Sequence, residues 1–361
     1  MASAVKHVRI PRNGVDYRGK VVLAPMVRSG ELPSRLLALE YGADLVWGPE
    51  TVDRSMIGTT SRFNPRTGTL DFTRFSSNAP KAATGPRRES TIYRIHPERE
   101  GRSLIFQIGT ASPETAVVAA KLVAPHVAGI DVNAGCPKPF STTGGMGAAL
   151  LQDPDRLASI LAALVRDVGD VYEINISVKI RLLETPEKTA ALVRKLCQTG
   201  IMGLTVHCRT TPMRPRERAI RDQLRMIGEL CRESGVACLM NGDVKTKDEA
   251  VQLARDYGVD GGMIATAAEA NPSCFRTTKG NGLLPWREVV YRYMEIALGV
   301  DNKWGNTKFL LSQLMPGKVS AYQQVAMSKN YEEACQSLGF DDYLEHAREV
   351  DDRLRLNVRK S

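Results

Sequence analysis

Gly129-Ile130-Asp131-Val132-Asn133 is the stretch on which the fold turns, and it runs directly into Ala134-Gly135-Cys136-Pro137-Lys138. It is short, mostly apolar, and has no strict alternation of apolar and polar residues. A strand packed against other layers on both faces has that composition. Seven more runs of this kind lie along the chain: Val21–Met26, Asp44–Pro49, Leu104–Gly109, Ile176–Leu182, Gly203–Arg209, Ala237–Asp243 and Gly261–Ala267. Helical patterns separate most of them. Four helices open with a capping residue followed by proline at the first helical position: Ser112-Pro113, Asp153-Pro154, Thr185-Pro186 and Asn271-Pro272. A fifth start, Thr246-Lys247-Asp248-Glu249, has the spacing of a capping box. Eight β-runs alternating with helices over about 250 residues predict an α/β chain folded as a (β/α)8 TIM barrel rather than an open doubly wound sheet.

Outward from the barrel the rhythm changes twice. Thr51 to Arg102 is rich in Gly, Pro, Ser and Arg and reads as an insertion after the second strand, a connection long enough to be functional or flexible. After about Gly280, helical patterns follow one another with no strand between them, at Pro285–Leu298, Asn306–Leu314, Lys318–Met327 and Asp341–Leu356. The expected organisation is a disordered lead-in over 1–19, a catalytic barrel over 20–280 and a small all-helical domain over 281–361.

The composition, 43% apolar and 25% charged, is that of an ordinary soluble protein. No run approaches the roughly 18 apolar residues of a membrane span. The first twenty residues lack the apolar core of a secretory signal. Seven cysteines, with no CxxC pair, point to a reduced intracellular protein with no metal site. The expected setting is cytoplasmic, with the nucleus as a second compartment, and the expected state is a monomer. The net charge of +9 suits a polyanionic partner. Six arginines lie between Arg209 and Arg225, a cluster that a solvated face explains equally well.

In a barrel of this kind the active site lies at the C-terminal ends of the strands. Those ends carry Pro25 and Met26, then Glu50, Gln107, Asn133 and Cys136, Lys179 and Arg181, His207 and Arg209, Asn241-Gly242-Asp243, and Ala265-Thr266. Polar groups at buried strand ends need partners, and so many on one face are best explained by a polar ligand. Gln107 can donate and accept, which suits the imide edge of a ring. Lys179 places a cation beside it. The turns after strands seven and eight are where this fold commonly binds phosphate through backbone N–H groups. A ring with a phosphate is a mononucleotide cofactor, and FMN fits. Cys136 opens a loop with three glycines in four residues, Gly144-Gly145-Met146-Gly147, which reads as a proton donor beside a mobile lid. Asp131, inside its strand, reads as structural.

The chain resembles the tRNA-dihydrouridine synthase family, most closely the eukaryotic branch that acts on a uridine at position 20 of the D-loop. The resemblance rests on Leu23-Ala24-Pro25-Met26-Val27-Arg28-Ser29-Gly30-Glu31-Leu32-Pro33, Gly42-Ala43-Asp44-Leu45-Val46-Trp47, Asp131 to Lys138, Gly144 to Leu151, Val178-Lys179-Ile180-Arg181 and Thr205-Val206-His207-Cys208-Arg209. It covers Lys20 to Phe275 strongly and continues weakly near Asp301–Lys308. The resemblance implies FMN-dependent, NADPH-driven reduction of a uridine C5=C6 bond in tRNA. It implies Cys136 as general acid. For FMN it implies backbone contacts from Pro25, Met26 and Val27, with Gln107, Lys179, His207, Asn241, Gly242, Asp243, Ala265 and Thr266. Glu50, Asn133, Arg181 and Arg209 are the candidates to meet the RNA.

Two departures stand out. Many members carry Arg where this chain has Thr266, so phosphate contact must fall to backbone N–H, the Thr266 hydroxyl or another base. Cys208 stands where a glycine is common, and is expected to be a small buried filler. Animal members also carry a C-terminal double-stranded-RNA-binding domain; the fungal-like form without it is expected here, leaving RNA binding to the barrel rim and helical tail. Two rival readings remain at this level: an FMN barrel oxidoreductase for a small molecule such as dihydroorotate, and a tRNA-binding protein without catalysis.

Overall fold

A computed structural model of the chain describes residues 7–75, 89–214 and 216–357. Eight parallel strands close on themselves: β1 (Val21–Leu23), β2 (Leu45–Trp47), β3 (Leu104–Gly109), β4 (Gly129–Ala134), β5 (Asn175–Arg181), β6 (Gly203–His207), β7 (Ala237–Asn241) and β8 (Gly261–Ile264). Each pairs with its sequence neighbours, and β1 pairs with both β8 and β2. All eight expected runs overlap a barrel strand; β1 and β2 stop two residues before Pro25 and Pro49, which have no N–H to give the ladder.

Two sets of side chains alternate along the strands. Outward residues such as Val46, Phe106, Ile130, Val132, Val178 and Val206 pack under the surrounding helices. Inward residues Val22, Leu45, Trp47, Ile105, Leu239 and Met263 form a separate cluster inside the barrel. Farther along β3, β4 and β5 the same inward parity carries Gln107, Asp131 and Ser177, which are bonded to each other. The barrel is therefore apolar at its N-terminal end and polar toward the C-terminal end, where a ligand would meet it.

The helices start where the capping residues stand. Ser112, Asp153, Thr185 and Thr246 each accept from the backbone N–H three residues on, and Asn271 accepts from the Ser273 N–H, two residues on, at the start of a short 3-10 turn. Each such bond satisfies one of the donors a helix leaves unpaired and contributes about 1 kcal/mol.

Residues 7–19 differ from the expected loose lead-in. They close the N-terminal end of the barrel, where Tyr17 is 1% exposed and its ring packs on Trp47. Gly203 makes room for it, since a Cβ there would lie 2.6 Å from the Tyr17 ring.

The insertion after β2 is also more ordered than its composition suggested. Thr60–Asn64, Thr69–Phe75 and Glu89–Ile95 form an antiparallel sheet. The buried Arg35 guanidinium ties the sheet's base to the barrel: it grips the Glu100 carboxylate at 2.7 and 2.8 Å and donates to the Arg94 and Gly30 carbonyls. Across the sheet, Arg66 pairs with Asp301, and Arg94 donates to the carbonyls of Val300 and Asp301.

The C-terminal region holds five helices, Trp286–Gly299, Trp304–Leu314, Ser320–Met327, Tyr331–Leu338 and Leu344–Leu354. The sequence reading missed Tyr331–Leu338, although Asn330 caps it and Gly339 ends it in the left-handed region. These helices share one core with Leu32, Leu36 and Leu37 of the helix that follows β1. No helix among the described residues is long and apolar enough to cross a membrane.

Candidate active site

A cavity of about 430 Å³ opens at the C-terminal end of the barrel. Its wall brings together Pro25, Met26 and Val27 after β1, Glu50 after β2, Gln107 on β3, Asn133 and Cys136 at the end of β4, Lys179 and Arg181 on β5, His207 on β6, and Ala265 and Thr266 after β8. Ser29, Lys138, Phe140, Glu269 and Phe309 complete much of it. Phe309 comes from the helical domain and had no signal in the sequence, because only tertiary packing carries it to the barrel mouth. Arg28, in the left-handed region at φ 74°, lays its guanidinium 4.3 Å from the centre of the Phe309 ring.

The Cys136 turn is held on both sides. Asn133 Oδ1 accepts from the backbone N–H of Gly135 at 3.0 Å and of Cys136 at 3.1 Å. Arg181 Nε donates to the Gly135 carbonyl at 2.7 Å. Both residues had been candidates to meet RNA; in the protein they also hold the thiol's turn. Cys136 is half-buried and the six other cysteines are fully buried, all seven free. Burial pushes the Cys136 thiol above its ordinary range, so it holds its proton at neutral pH. Downstream, Gly145 and Gly147 take positive φ of 76° and 57°, which their lack of a side chain permits.

Deeper in the barrel, Asp131 is completely buried and accepts from Gln107 Nε2 at 2.8 Å and Ser177 Oγ at 2.7 Å. Burial raises its pKa to about 6. Lys179 makes no hydrogen bond or ion pair within the described residues, and burial and then the nearby Arg181 lower its pKa to about 8. It is a cation waiting for a counter-charge, the arrangement an anionic or electron-accepting ring edge would complete. His207 is driven down to about 2 by burial, Lys179, Arg181 and Arg209, and is therefore neutral.

The Asn241-Gly242-Asp243 turn lies behind this wall. Asn241 donates to the Met263 carbonyl at 3.0 Å. Asp243 pairs with Arg209 at 2.5 Å and accepts from the Ala219 N–H at 2.7 Å. Arg221 donates to the carbonyls of Gly242 and Asp243. Gly242, at φ 119°, lets the His207 ring come close: a Cβ would lie 3.3 Å from it. Arg209 is 5% exposed and bonds the Glu217 carbonyl and the His207 ring as well. Of the six clustered arginines, then, Arg209, Arg221 and Arg225 grip local backbone or carboxylate, while Arg214, Arg216 and Arg218 face solvent. Cys208 is buried, as a filler would be. Among the described residues no His, Cys, Asp and Glu cluster has the makings of a metal site.

A family model described as dihydrouridine synthase (Dus) matches residues 22–298. The chain belongs to the dihydrouridine synthase family. A dihydrouridine synthase of Schizosaccharomyces pombe, tRNA-dihydrouridine(20) synthase (NAD(P)+), is 50% identical over 324 residues, covering 88% of this chain and 64% of that protein. The Saccharomyces cerevisiae protein of the same name is 45% identical, covering 88% of this chain and 83% of its own length. A human tRNA-dihydrouridine(20a/20b) synthase (NAD(P)+)-like protein is 27% identical over 277 residues, or 77% of this chain and 76% of that one. The chain thus spans just under two thirds of the Schizosaccharomyces pombe dihydrouridine synthase.

Proposed function

We propose that this chain reduces the C5=C6 bond of a uridine in the D-loop of tRNA, at position 20, to 5,6-dihydrouridine, with FMN bound in the barrel mouth and NADPH as electron source. The observation that carries the reading is the placing of one half-buried, protonated thiol, Cys136, on the same cavity as the unpaired cation Lys179 and the oriented amide of Gln107. The relatives' names point the same way.

The residues present fit a flavin mononucleotide. A cavity of about 430 Å³ is in the range of cofactor sites. Pro25, Met26 and Val27 would flank the ring, with Gln107 at its imide edge. Lys179 would stand beside the electron-rich part of it, and His207, Ala265 and Thr266 would reach the polar tail. Asn241, Gly242 and Asp243 would meet the phosphate through backbone N–H groups, since the bonds from Arg209 and Arg221 use the turn's carboxylate and carbonyls. When bound and reduced by NADPH, FMN would supply the hydride that uridine C6 accepts.

The chain's own residues do the rest. Uracil is a conjugated enone, so addition at C6 leaves enolate character at C5 and the C4 oxygen. Cys136 delivers a proton to C5: its S–H bond breaks, a C5–H bond forms and a thiolate remains. Asn133 and Arg181 fix the turn so that the thiol stays aimed at the cavity. The target base must leave its stack to arrive there. Phe140 and Phe309 offer apolar faces on which it can rest. The exposed Arg214, Arg216 and Arg218 and the net charge of +9 would bind phosphate by position rather than by sequence.

The test is direct. Purified protein should show flavin absorption bands, and unmodified tRNA incubated with it and NADPH should gain two hydrogens at a D-loop uridine by mass spectrometry. A colourless protein that leaves tRNA unchanged after FMN is added would refute the reading.

A further inference from the structure

The surroundings of Cys136 are lopsided in charge. Lys138 follows it in the loop, Arg181 holds its turn, and Lys179 stands below on β5; each of these cations favours a thiolate. A cysteine in such company ordinarily ionises below neutrality, and a thiolate has no proton to give. Burial already opposes the three cations, and a carboxylate beside the thiol would oppose them further. Among the described residues, the cavity wall carries two carboxylates, Glu50 and Glu269. Glu269 is engaged elsewhere, accepting the Ser29 hydroxyl at 2.6 Å.

Glu50 is seated against the thiol's loop. Its Oε1 accepts from Ser141 Oγ at 2.9 Å, and Ser141 is fully buried. Gly109 leaves the carboxylate its place, since a Cβ there would lie 2.5 Å from Oε1. Gly147 closes the loop over the same spot, where a Cβ would lie 2.6 Å from the Cys136 carbonyl and collide with Ser141. The second oxygen, Oε2, is shielded from solvent and makes no hydrogen bond of ordinary geometry, while Cys136 and Asn133 stand close enough to act on it. A buried carboxylate oxygen left in that state is costly, and two nearby donors can satisfy it, the Asn133 amide and the Cys136 S–H; the thiol is the one whose proton the chemistry uses.

We propose that Glu50 is the positioning residue that keeps Cys136 protonated: its Oε2 takes the thiol hydrogen, and its charge opposes Lys138, Lys179 and Arg181 until a base occupies the cavity. The inference rests on the reading of Cys136 as the proton donor. After the transfer the thiolate recovers a proton from solvent as the product leaves, and the adjacent carboxylate favours that recovery by repelling the thiolate. Burial pushes Glu50 itself above the usual carboxylate range, which suits a group that faces a proton donor.

The experiment is the pH dependence of iodoacetamide alkylation of Cys136, followed by mass spectrometry on its own peptide in the full-length protein as purified. In Glu50→Gln, which keeps the shape and the Ser141 bond, the midpoint should move down by about one pH unit, with alkylation at neutral pH rising on the order of 3–10-fold. Glu50→Asp should restore most of the shift. Lys138→Gln, a change at an exposed position, should move the midpoint the other way. An unchanged profile in Glu50→Gln would overturn the proposal, as would an unchanged profile in Lys138→Gln should Glu50→Gln not fold. Reduction of tRNA by Cys136→Ala is measured separately. Full activity there would defeat the donor assignment while leaving the Glu50–Cys136 pairing to stand or fall on its own profile.

Discussion

Gln107 and Asp131 face each other on adjacent strands inside the barrel, the amide Nε2 donating to the buried carboxylate at 2.8 Å. An ionised carboxylate only accepts, so the bond fixes which end of the Gln107 amide faces inward. The barrel interior thereby orients a side chain of the cavity wall before any ligand arrives.

Stability should record this buried carboxyl. Asp131 has a pKa of about 6 when folded against an ordinary 3.8. A raised acid contributes stability that is complete below the unfolded value and is lost as pH rises through the folded one. The loss is about 2.5 kcal/mol between pH 4 and 7. In urea titrations across that range, the stability difference between wild type and Asp131→Asn should shrink by about that amount. A difference that stays constant with pH would contradict the burial argument.

His207 should stay neutral across the physiological range. Its pKa of about 2 lies far below the ordinary 6.5, because burial and three nearby cations oppose a charge. Arg209 Nη1 lies 3.3 Å from His207 Nε2 and can only donate, so Nε2 accepts and the proton sits on Nδ1. Nitrogen chemical shifts of labelled histidine should show one Nδ1–H tautomer, unchanged from pH 5 to 8. Titration near pH 6.5 would refute this.

Lys179 should be the residue whose removal separates stability from function. Its pKa of about 8, against an ordinary 10.5, means that the charged form is disfavoured in the fold. Its destabilising effect is present below pH 8 and is relieved as pH rises toward 10.5. Lys179→Met should therefore melt no lower than wild type at pH 7, while retaining flavin about tenfold more weakly. Thermal unfolding and the ratio of flavin to protein absorbance measure both. A variant that binds flavin normally would show that the cation is not there for the ring.

Much of this was legible in the sequence because strong local signals mark it. The strand runs, the Ser112, Asp153 and Thr185 caps with their prolines, and the Cys136 loop each follow from a few neighbouring residues. Several misreadings share a different cause. The insertion sheet looked like loop because its composition is turn-rich, yet long-range bonds such as Arg35–Glu100 and Arg94–Asp71 order it. Tyr17 and Phe309 reach their places only through the closed barrel and the docked helices. Nothing local announces that Arg209 and Arg221 bond the carboxylate and carbonyls of the Asn241-Gly242-Asp243 turn, bonds that do not engage its backbone N–H groups. Asp131 was read as structural, which its bonds to Gln107 and Ser177 support, but those bonds also shape the cavity.

The most direct test of the account replaces its proton donor. Cys136→Ala should fold, carry flavin and oxidise NADPH as the wild type does, while dihydrouridine formation in unmodified tRNA falls on the order of 10²–10⁴-fold. Dihydrouridine formed at the wild-type rate by Cys136→Ala would contradict it.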